Sequence, residues 1–457
     1  MKNKIYIKQT CINVPVETLF AWHERNGAIQ RLTPPWAPLK LLSRTGYGVQ
    51  KGVKVSFRLT IFKIPMIWKA EHTAYEKNIM FQDHQTAGPF SKWVHTHRFI
   101  QQDGRSSIME DRVEYKLPLG FLSWPFYGVA KKDIHRMFNY RHQVLKHDLE
   151  HHVGQTREKR ILISGASGTI GSILIPFLRT CGHEVVQLVR CDKKLEIDQI
   201  FWDPYKGILD LESAGRFDAV INLNGVDISR GRWTEKQKQK IMDSRVIPTR
   251  LLAETIAKLS YKPRIFISSS AIGFYGDKDE EILTEDSAKG NSFISTVCSE
   301  WEAASMPAQK AGIRTVQLRI GVVLTPAGGA LKRMSPAFKL GCGVKISHGQ
   351  QYMSWISMED ALSGIHHIIN HDTIEGPVNL TAPNPVTNKE FSRTLARVFS
   401  RKVFFRMPKM IAFVLWGKMG METLLASARV KPSKLLETGF EFQHETLLSA
   451  LKTMLGR

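Results

Sequence analysis

The chain has 457 residues, of which 43% are hydrophobic and 23% are charged, and its formal net charge is +22. This length predicts two to four domains, and the composition is that of a globular protein. No uncharged apolar run reaches about 18 residues, so we expect no membrane-spanning helix. The N-terminus, MKNKIYIKQT, lacks the apolar core of a signal peptide.

The cysteines indicate the compartment of the protein, and the distribution of basic charge indicates its partners. The five cysteines are scattered, odd in number and without CxxC spacing, which predicts free thiols and a cytoplasmic protein. The positive charges of the first third are singly spaced, as at Lys51, Lys54 and Arg58. This favours a solvated surface over a nucleic-acid or anionic-membrane surface. We therefore expect a small-molecule ligand as partner, and the sequence is compatible with a homodimer.

Residues 1–152 predict a sheet followed by one long helix. KIYIKQTCINV alternates apolar and polar residues like an edge strand, and PVETLFAWH has helical spacing. Five more strand-like stretches follow between residues 53 and 117. Residues 131–152 have apolar side chains at three- and four-residue steps, which indicates a helix. This order is typical of an α+β helix-grip fold, in which a curved antiparallel sheet wraps a long helix and leaves a cavity.

A polar linker, residues 153–159, precedes a different pattern. RILISG is a buried strand, and HEVVQLVR, DAVINLNG, PRIFISSSA and IRTVQLRIGVVL are further strands that alternate with helices. The alternation predicts an α/β, Rossmann-type domain with a doubly wound parallel sheet over residues 160–400. Residues 401–457 predict a mostly helical extension packed on that sheet.

Gly165, Gly168 and Gly171 form a G-x-x-G-x-x-G loop directly after the first of these strands. The first glycine allows a tight turn, the second lets a pyrophosphate approach the backbone, and the third lets helix and strand pack closely. The following helix offers free N–H groups and the positive end of its dipole to phosphates. The loop therefore predicts dinucleotide binding, with a purely structural turn as the alternative.

Arg190 ends the second strand, where a NAD site has Asp or Glu for the ribose hydroxyls. A guanidinium suits a 2′-phosphate, and Lys193 and Lys194 follow, so we predict NADP(H) rather than NAD. The alternative is that Arg190 is a solvated strand end. Arg245 and Arg319 could equally form buried ion pairs or cofactor contacts. The predicted cofactor-binding residues are Gly165, Ser167, Gly168, Thr169, Ile170, Gly171, Arg190, Leu223, Asn224, Gly225 and Val322.

Residues 160–451 resemble the extended short-chain dehydrogenase/reductase superfamily, and more narrowly its atypical "epimerase family" branch. The resemblance is carried by SGASGTIG (164–171), VINLNGVDI (220–228), RWTEKQKQKIMDSR (232–245), SSSAIGFYG (268–276), RIGVVLTPAGGALKRM (319–334) and SWISMEDAL (354–362). It implies NADP(H) binding and a substrate site between the sheet and the C-terminal half. It also implies that the C-terminal helices are the extension typical of this branch.

Residues 1–150 resemble the START-like (SRPBCC) superfamily. The matching segments are RLTPPW (31–36), FQDHQTAGPFSKWVHTHRF (81–99) and DRVEYKLPLG (111–120). The resemblance implies a hydrophobic ligand in the cavity. Three or four histidines can bind zinc. We nevertheless expect His72, His84, His95 and His97 to line or cap the cavity through hydrogen bonds, and we predict no metal.

The resemblance also implies a set of catalytic residues. Short-chain dehydrogenases use a Ser or Thr, a Tyr as general acid/base, and a Lys four residues after it. Ser270 stands at the Ser position, but Ile294 and Cys298 stand at the Tyr and Lys positions when these are counted back from Glu302. Tyr275 is the substitute proton donor that we predict, and a structural tyrosine of the FYG turn is the alternative. The sequence thus predicts an NADP-dependent oxidoreductase or epimerase acting on a hydrophobic small molecule, or alternatively a non-catalytic redox sensor or scaffold.

Overall fold

The computed structural model describes residues 3–37, 39–61, 64–118, 120–154, 157–193, 195–229 and 231–457. Lys194 and residues 155–156 of the predicted linker lie outside the described residues. The chain divides into two compact units. The first comprises residues 1–158, 175–183 and 455–457, and the second comprises residues 159–174 and 184–454. Within the described ranges, no helix is both long and apolar enough to cross a membrane.

The first unit is built, in its described part, on an antiparallel sheet of seven strands. The strands are β1 (Lys4–Ile12), β2 (Lys40–Arg44), β3 (Lys54–Ile61), β4 (Ile64–Glu76), β5 (Met80–Ala87), β6 (Lys92–Gln101) and β7 (Ser107–Lys116). Their order in the sheet is β1-β7-β6-β5-β4-β3-β2, so the first strand pairs with the last. The sequence analysis missed β2, whose stretch KLLSR shows no clean alternation of apolar and polar residues.

Helices pack against this sheet. They are α1 (Val16–Glu24), α2 (Ala28–Arg31), the 3₁₀ helix Gly120–Phe126, and α3 (Tyr127–His151). Ile134 and Phe138 lie one turn apart on α3 and pack with Trp93, Val113 and Tyr115 of the sheet. Burial of each such side chain contributes about 1.5–3 kcal/mol, so this long helix is stabilised mainly by the face that it turns to the sheet.

The second unit contains the strands that were predicted to alternate with helices, together with short pairs outside the main sheet. In chain order the described strands are β8 (Arg160–Ser164), β9 (Glu184–Val189), β10 (Gln199–Asp203), β11 (Ile208–Leu209), β12 (Ala219–Asn222), β13 (Ile265–Ala271), β14 (Ile282–Leu283), β15 (Arg314–Ile320), β16 (Val322–Leu324), β17 (Val344–Ile346), β18 (Tyr352–Met353), β19 (Trp355–Ser357), β20 (Gly376–Leu380), β21 (Val386–Thr387), β22 (Phe405–Met407) and β23 (Arg429–Val430).

The described part of the main sheet has eight strands in the order β11-β10-β9-β8-β12-β13-β15-β20. Its pairs are parallel except for the β10–β11 pair at one edge. Leu162, Val220 and Phe266 are fully buried in adjacent strands, as expected for a parallel sheet that is covered on both faces. The predicted Rossmann-type parallel sheet is therefore confirmed.

Helices connect and flank these strands. The described helices after residue 159 are α4 (Gly171–Thr180), α5 (Glu235–Lys258), the 3₁₀ helix Ile272–Phe274, α6 (Phe293–Ala303), α7 (Met306–Lys310), α8 (Gly329–Lys339), α9 (Met358–Asn370), α10 (Asn388–Val398), α11 (Lys409–Thr423), α12 (Ser433–Glu437) and α13 (Leu447–Leu455). Gly417 interrupts α11 with non-helical angles, φ 59° and ψ −144°. Most of the region after residue 401 is helical, as the sequence predicts.

Candidate cofactor site and its surroundings

The glycine loop lies at the carboxyl end of β8, in the middle of the parallel sheet. Strand β8 pairs with β9 on one side and with β12 on the other, so the direction in which the chain adds strands reverses here. Open α/β sheets bind ligands in the crevice at such a switch point. The topology therefore places the loop where a dinucleotide would bind.

Each glycine of the loop occupies a position that leaves little or no room for a side chain. Gly165 has φ +78°, and a Cβ there would lie 2.6 Å from the carbonyl oxygen of Leu223. A Cβ at Gly168 would lie 3.1 Å from the carbonyl oxygen of Gly165, and a Cβ at Gly171 would overlap that same oxygen. The N–H of Gly168 donates to this oxygen at 2.9 Å and closes the turn. The spacing of the glycines thus has a steric cause.

The residues between the glycines form an exposed approach to α4. Ser167, Gly168 and Thr169 are exposed, and Ile170 is half-buried. Because the first N–H groups of a helix have no intrahelical partner, the N-terminus of α4 favours an anion at this place. The predicted residues of the loop are therefore grouped around a position suited to a phosphate.

The loop after β12 lies beside the glycine loop. The N–H of Leu223 donates to the carbonyl oxygen of Ser164 at 3.1 Å. The side-chain amide of Asn224 donates to the Ser164 hydroxyl at 2.7 Å and to Asn222 at 2.6 Å. A Cβ on Gly225 would lie 3.2 Å from the guanidinium carbon of Arg245. The structure thus brings the predicted residues 223–225 to the end of β8.

Arg245 contributes to the frame of this loop. Its guanidinium donates to the carbonyl oxygens of Ile241 and Val226 at 3.0 and 3.1 Å. The sequence left two interpretations open for Arg245, a buried ion pair or a cofactor contact. These hydrogen bonds are neither. The guanidinium instead satisfies backbone carbonyls.

Val322 begins β16, and the segment that follows it reaches the glycine loop. A Cβ at Gly328 would lie 2.7 Å from the Thr169 methyl carbon, so this glycine lies against the loop. The sequence analysis missed Gly328, although the pair Gly328–Gly329 at the start of α8 was a visible signal. It also missed Arg333 on α8, which donates to Asp227 of the loop after β12 at 2.6 Å.

Arg190 follows the neighbouring strand β9. In the parallel register Ser164 lies opposite Leu188, so Gly165 and Arg190 leave the same edge of the sheet. Arg190 is exposed, and in the described part of the chain its side chain makes no ion pair or hydrogen bond. A free guanidinium therefore lies at the strand end where the adenosine ribose of a dinucleotide is held in Rossmann folds.

Ser270 is hydrogen-bonded to the buried ion pair between Glu302 and Arg319. Its hydroxyl donates to Oε1 of Glu302 at 2.7 Å. Arg319 donates to both oxygens of the same carboxylate at 2.9 and 3.0 Å. Burial disfavours the charged Arg319, but the bonds to Glu302 raise the pKa of its guanidinium above the usual value. The bidentate pair fixes Arg319 as a structural cation, and it engages the hydroxyl that was predicted to be catalytic.

Tyr275 is fully buried. Its hydroxyl donates to Oδ1 of Asn379 at 2.7 Å and accepts from Arg319 at 3.0 Å. Burial raises the pKa of Tyr275, and the neighbouring Arg319 only partly opposes that rise. A general acid must reach its substrate, whereas this proton is already donated inside the protein. The geometry disfavours the proton-donor role, which stays a prediction.

Ile294 and Cys298 lie on α6 in an apolar environment. They pack in a cluster with Trp233, Ile241 and Met419. Burial, followed by the negative charge of Glu302, raises the pKa of the Cys298 thiol to about 12. The positions where the resemblance requires a phenol and an ammonium group are therefore apolar and uncharged.

A carboxylate from the C-terminal extension lies beside the start of α6. Oε2 of Glu422, on α11, accepts a hydrogen bond from the N–H of Ile294 at 3.1 Å. The sequence analysis missed this residue because it is 128 positions away from Ile294 and belongs to no recognised motif. The contact gives one of the first N–H groups of α6, which have no partner within the helix, a side-chain acceptor.

The burial of Cys298 predicts its reactivity. In the folded protein at pH 8, iodoacetamide should modify exposed Cys191 and Cys342 and leave Cys298 unmodified, because only an accessible thiolate reacts. Peptide mass spectrometry after timed alkylation measures the modified fraction. The same reaction in urea is the control, in which all three should be modified. Rapid native labelling of Cys298 would contradict the buried environment described for α6.

Two family models match the part of the chain after residue 160. Residues 161–380 match the NAD dependent epimerase/dehydratase family, and residues 407–454 match a domain of unknown function, DUF1731. An epimerase family protein of Mycobacterium bovis is 39% identical over 291 residues, which are 64% of this chain and 96% of the relative. The human epimerase family protein SDR39U1 is 32% identical over 303 residues, 65% of this chain and all of the relative.

Several solved structures are also similar to this chain. The crystal structure of a nucleoside-diphosphate sugar epimerase from Corynebacterium glutamicum is 30% identical, has a TM-score of 0.80, and covers 99% of this chain and 90% of its own. Human SDR39U1 crystallised with NADPH is 31% identical, has a TM-score of 0.59, and covers 65% of this chain and 98% of its own. UDP-glucose 4-epimerase from Thermotoga maritima, at 18% identity and a TM-score of 0.52, shares the fold alone.

Proposed function

This chain belongs to the NAD-dependent epimerase/dehydratase family, and on that premise we propose that its second unit binds NADP(H) and acts on a small molecule as a reductase or epimerase. The observation that carries the proposal is the glycine loop between β8 and α4, with three positions that leave little or no room for a side chain. The human relative that was solved with NADPH supports the same cofactor class.

The preference for NADP(H) over NAD(H) rests on Arg190. Its exposed guanidinium follows β9 at the same sheet edge as the glycine loop. A guanidinium forms bidentate, charge-assisted bonds with phosphate, and an acidic side chain in its place would repel the 2′-phosphate. Arg190 is therefore the residue that we propose recognises the adenosine 2′-phosphate.

The change Arg190→Ala should weaken NADPH binding about 10- to 100-fold and leave NADH binding nearly unchanged, because only NADPH has the 2′-phosphate. Fluorescence titration of the full chain with each cofactor measures both constants. Lys206→Ala is the matched control, since it removes an exposed cation of the same unit on the turn after β10. Equal losses for the two cofactors, or wild-type protein that binds NADH as tightly as NADPH, would refute the assignment.

Residues of this chain have separate proposed roles around the cofactor. When bound, the nicotinamide supplies hydride transfer, and the protein must orient it and move protons. We propose that the backbone of the glycine loop and the N-terminus of α4 hold the pyrophosphate. The usual proton donor is missing from these positions, because Ile294 and Cys298 cannot serve and the Tyr275 hydroxyl already donates to Asn379. This favours slow catalysis, or the second candidate, an NADP(H)-dependent sensor or scaffold without turnover.

Turnover assays separate these two candidates. We expect the full chain to oxidise NADPH in the presence of at least one compound from a panel of nucleoside-diphosphate sugars and hydrophobic carbonyl compounds. Loss of a general acid lowers rates by about 10²–10⁴-fold, so long incubations are needed. The Arg190→Ala protein is the control for cofactor-dependent signal. NADPH that binds tightly but is never oxidised would favour the sensor.

The first unit is the other half of the proposal. We propose that it is a START-like helix-grip domain that binds a hydrophobic small molecule. Its described seven-stranded antiparallel sheet and the packing of the 25-residue helix α3 against that sheet support this assignment. Aromatic side chains on the face of the sheet toward α3, among them Trp68 and Trp93, suit an apolar ligand. A ligand domain and a cofactor domain on one chain suggest a shared or related small molecule.

Native mass spectrometry tests this ligand role. The full chain, incubated with a mixture of fatty acids and isoprenoid alcohols, should retain one equivalent of a hydrophobic molecule. Addition of NADPH should leave that adduct in place, because the proposed sites lie in different units. Ovalbumin carried through the same incubation is the control for non-specific adducts. Spectra that repeatedly show the bare chain would count against the hydrophobic-ligand role.

A further inference from the structure

Three potential metal ligands converge on neighbouring strands of the first unit. Asp83 is on β5, and His95 and His97 are on β6, two positions apart and therefore on one face. Oδ2 of Asp83 lies 3.5 Å from Nδ1 of His95 and 3.7 Å from Nε2 of His97. One ligand atom of each residue lies within 4.8 Å of the others.

These separations suit a shared metal ion better than direct hydrogen bonds. Directed N–H···O bonds have donor–acceptor distances of about 2.7–3.2 Å, and both contacts of Asp83 are longer. Ligand atoms placed tetrahedrally at about 2.0–2.1 Å from a zinc ion lie about 3.3–3.4 Å from one another. The two Asp83 contacts, at 3.5 and 3.7 Å, are within a few tenths of an ångström of that separation.

The opposite nitrogens of both imidazoles face a single carboxylate. Nε2 of His95 lies 3.0 Å from Oδ1 of Asp111 and is hydrogen-bonded to it. Nδ1 of His97 approaches the same oxygen at 2.7 Å, though without hydrogen-bond alignment. His142 is hydrogen-bonded to the other oxygen of Asp111 at 2.9 Å. A carboxylate behind a metal-binding imidazole fixes the ring and its tautomer, so that the free nitrogen presents a lone pair to the metal.

A fourth histidine supplies an independent indication. His72 on β4 is paired with Asp83 in the strand register and is only 6% exposed. Its Nδ1 has no hydrogen-bond partner among the described residues, and its ring interacts electrostatically with Asp83 and His97. An orphaned buried nitrogen is costly, so this side of the cluster lacks a polar partner among the described residues.

Access also fits a cation. The side chains of His95 and His97 are 5% and 10% exposed, whereas that of Asp83 is 17% exposed. The cluster therefore has one partly open side, where a metal could retain a water or ligand.

We propose that Asp83, His95 and His97 bind a divalent first-row transition-metal ion, with Asp111 orienting the imidazole of His95. Two imidazoles and one carboxylate with an open position form a ligand set that suits Zn²⁺, Fe²⁺ or Co²⁺. Two of the four histidines expected from the sequence to act through hydrogen bonds, His95 and His97, are then ligands. The site belongs to the first unit and is independent of the NADP(H) proposal.

The wild-type chain gives the first test. Full-length protein stripped with EDTA should bind one equivalent of Zn²⁺ in a calorimetric titration, with a rise in Tm. Co²⁺ should give a d–d absorption spectrum without a thiolate charge-transfer band, which separates this site from exposed Cys11, Cys191 and Cys342. Failure to bind either ion stoichiometrically, or a thiolate band as the only signal, would overturn the proposal.

Variants locate the ion. Asp83→Asn and His95→Gln should weaken Zn²⁺ binding at least about 100-fold, and Asp111→Asn about 10- to 100-fold, as for outer-shell partners. His84→Gln is the matched control, because His84 adjoins Asp83 but points to the other face of the strand. Circular dichroism of the metal-free proteins verifies folding, and the wild-type Co²⁺ spectrum decides where a variant does not fold. Unchanged affinity in Asp83→Asn, or an equal loss in His84→Gln, would contradict the site.

Discussion

The buried ion pair between Glu302 and Arg319 holds together the part of the second unit that surrounds the predicted catalytic positions. Glu302 belongs to α6 and Arg319 to β15, and the pair extends through Ser270 to β13. Through Tyr275 it extends to Asn379 on β20. Removal of one partner from a buried pair leaves an uncompensated charge and costs about 3–5 kcal/mol, so the relative positions of these elements depend on this contact.

The ion pair affects the predicted catalytic residues but not the predicted cofactor loop. The glycine loop owes its shape to steric limits at the end of β8, which do not involve the ion pair. Ser270 and Tyr275, by contrast, have the residue types of a catalytic set but use their polar atoms to satisfy Glu302 and Arg319. With apolar Ile294 at the start of α6, the second unit combines a sterically defined glycine loop with predicted catalytic positions that lack the usual acid. The fold also brings the carboxylate of Glu422 next to that position.

In the first unit, too, the sequence pattern predicts which side chains share a face but not which groups they contact. Its sequence predicts alternating strands and therefore that His95 and His97 share a face. It does not show that both rings meet the carboxylate of Asp111, or that Asp83 from the next strand faces their other nitrogens. Those relations depend on the register of β5, β6 and β7, and a shift of one residue would turn the side chains to the other face.

Four features could be predicted from the amino-acid sequence alone: the parallel Rossmann sheet, the glycine spacing, the position of Arg190, and the absence of a Tyr and a Lys at positions 294 and 298. These features depend on periodicity and short-range spacing, which a single chain displays directly. Three contacts became visible only in the folded chain: Ser270 with Glu302 across 32 positions, Tyr275 with Arg319 across 44, and Glu422 with Ile294 across 128. Such contacts arise when distant elements pack together, and buried polar atoms then take whichever partners that packing supplies.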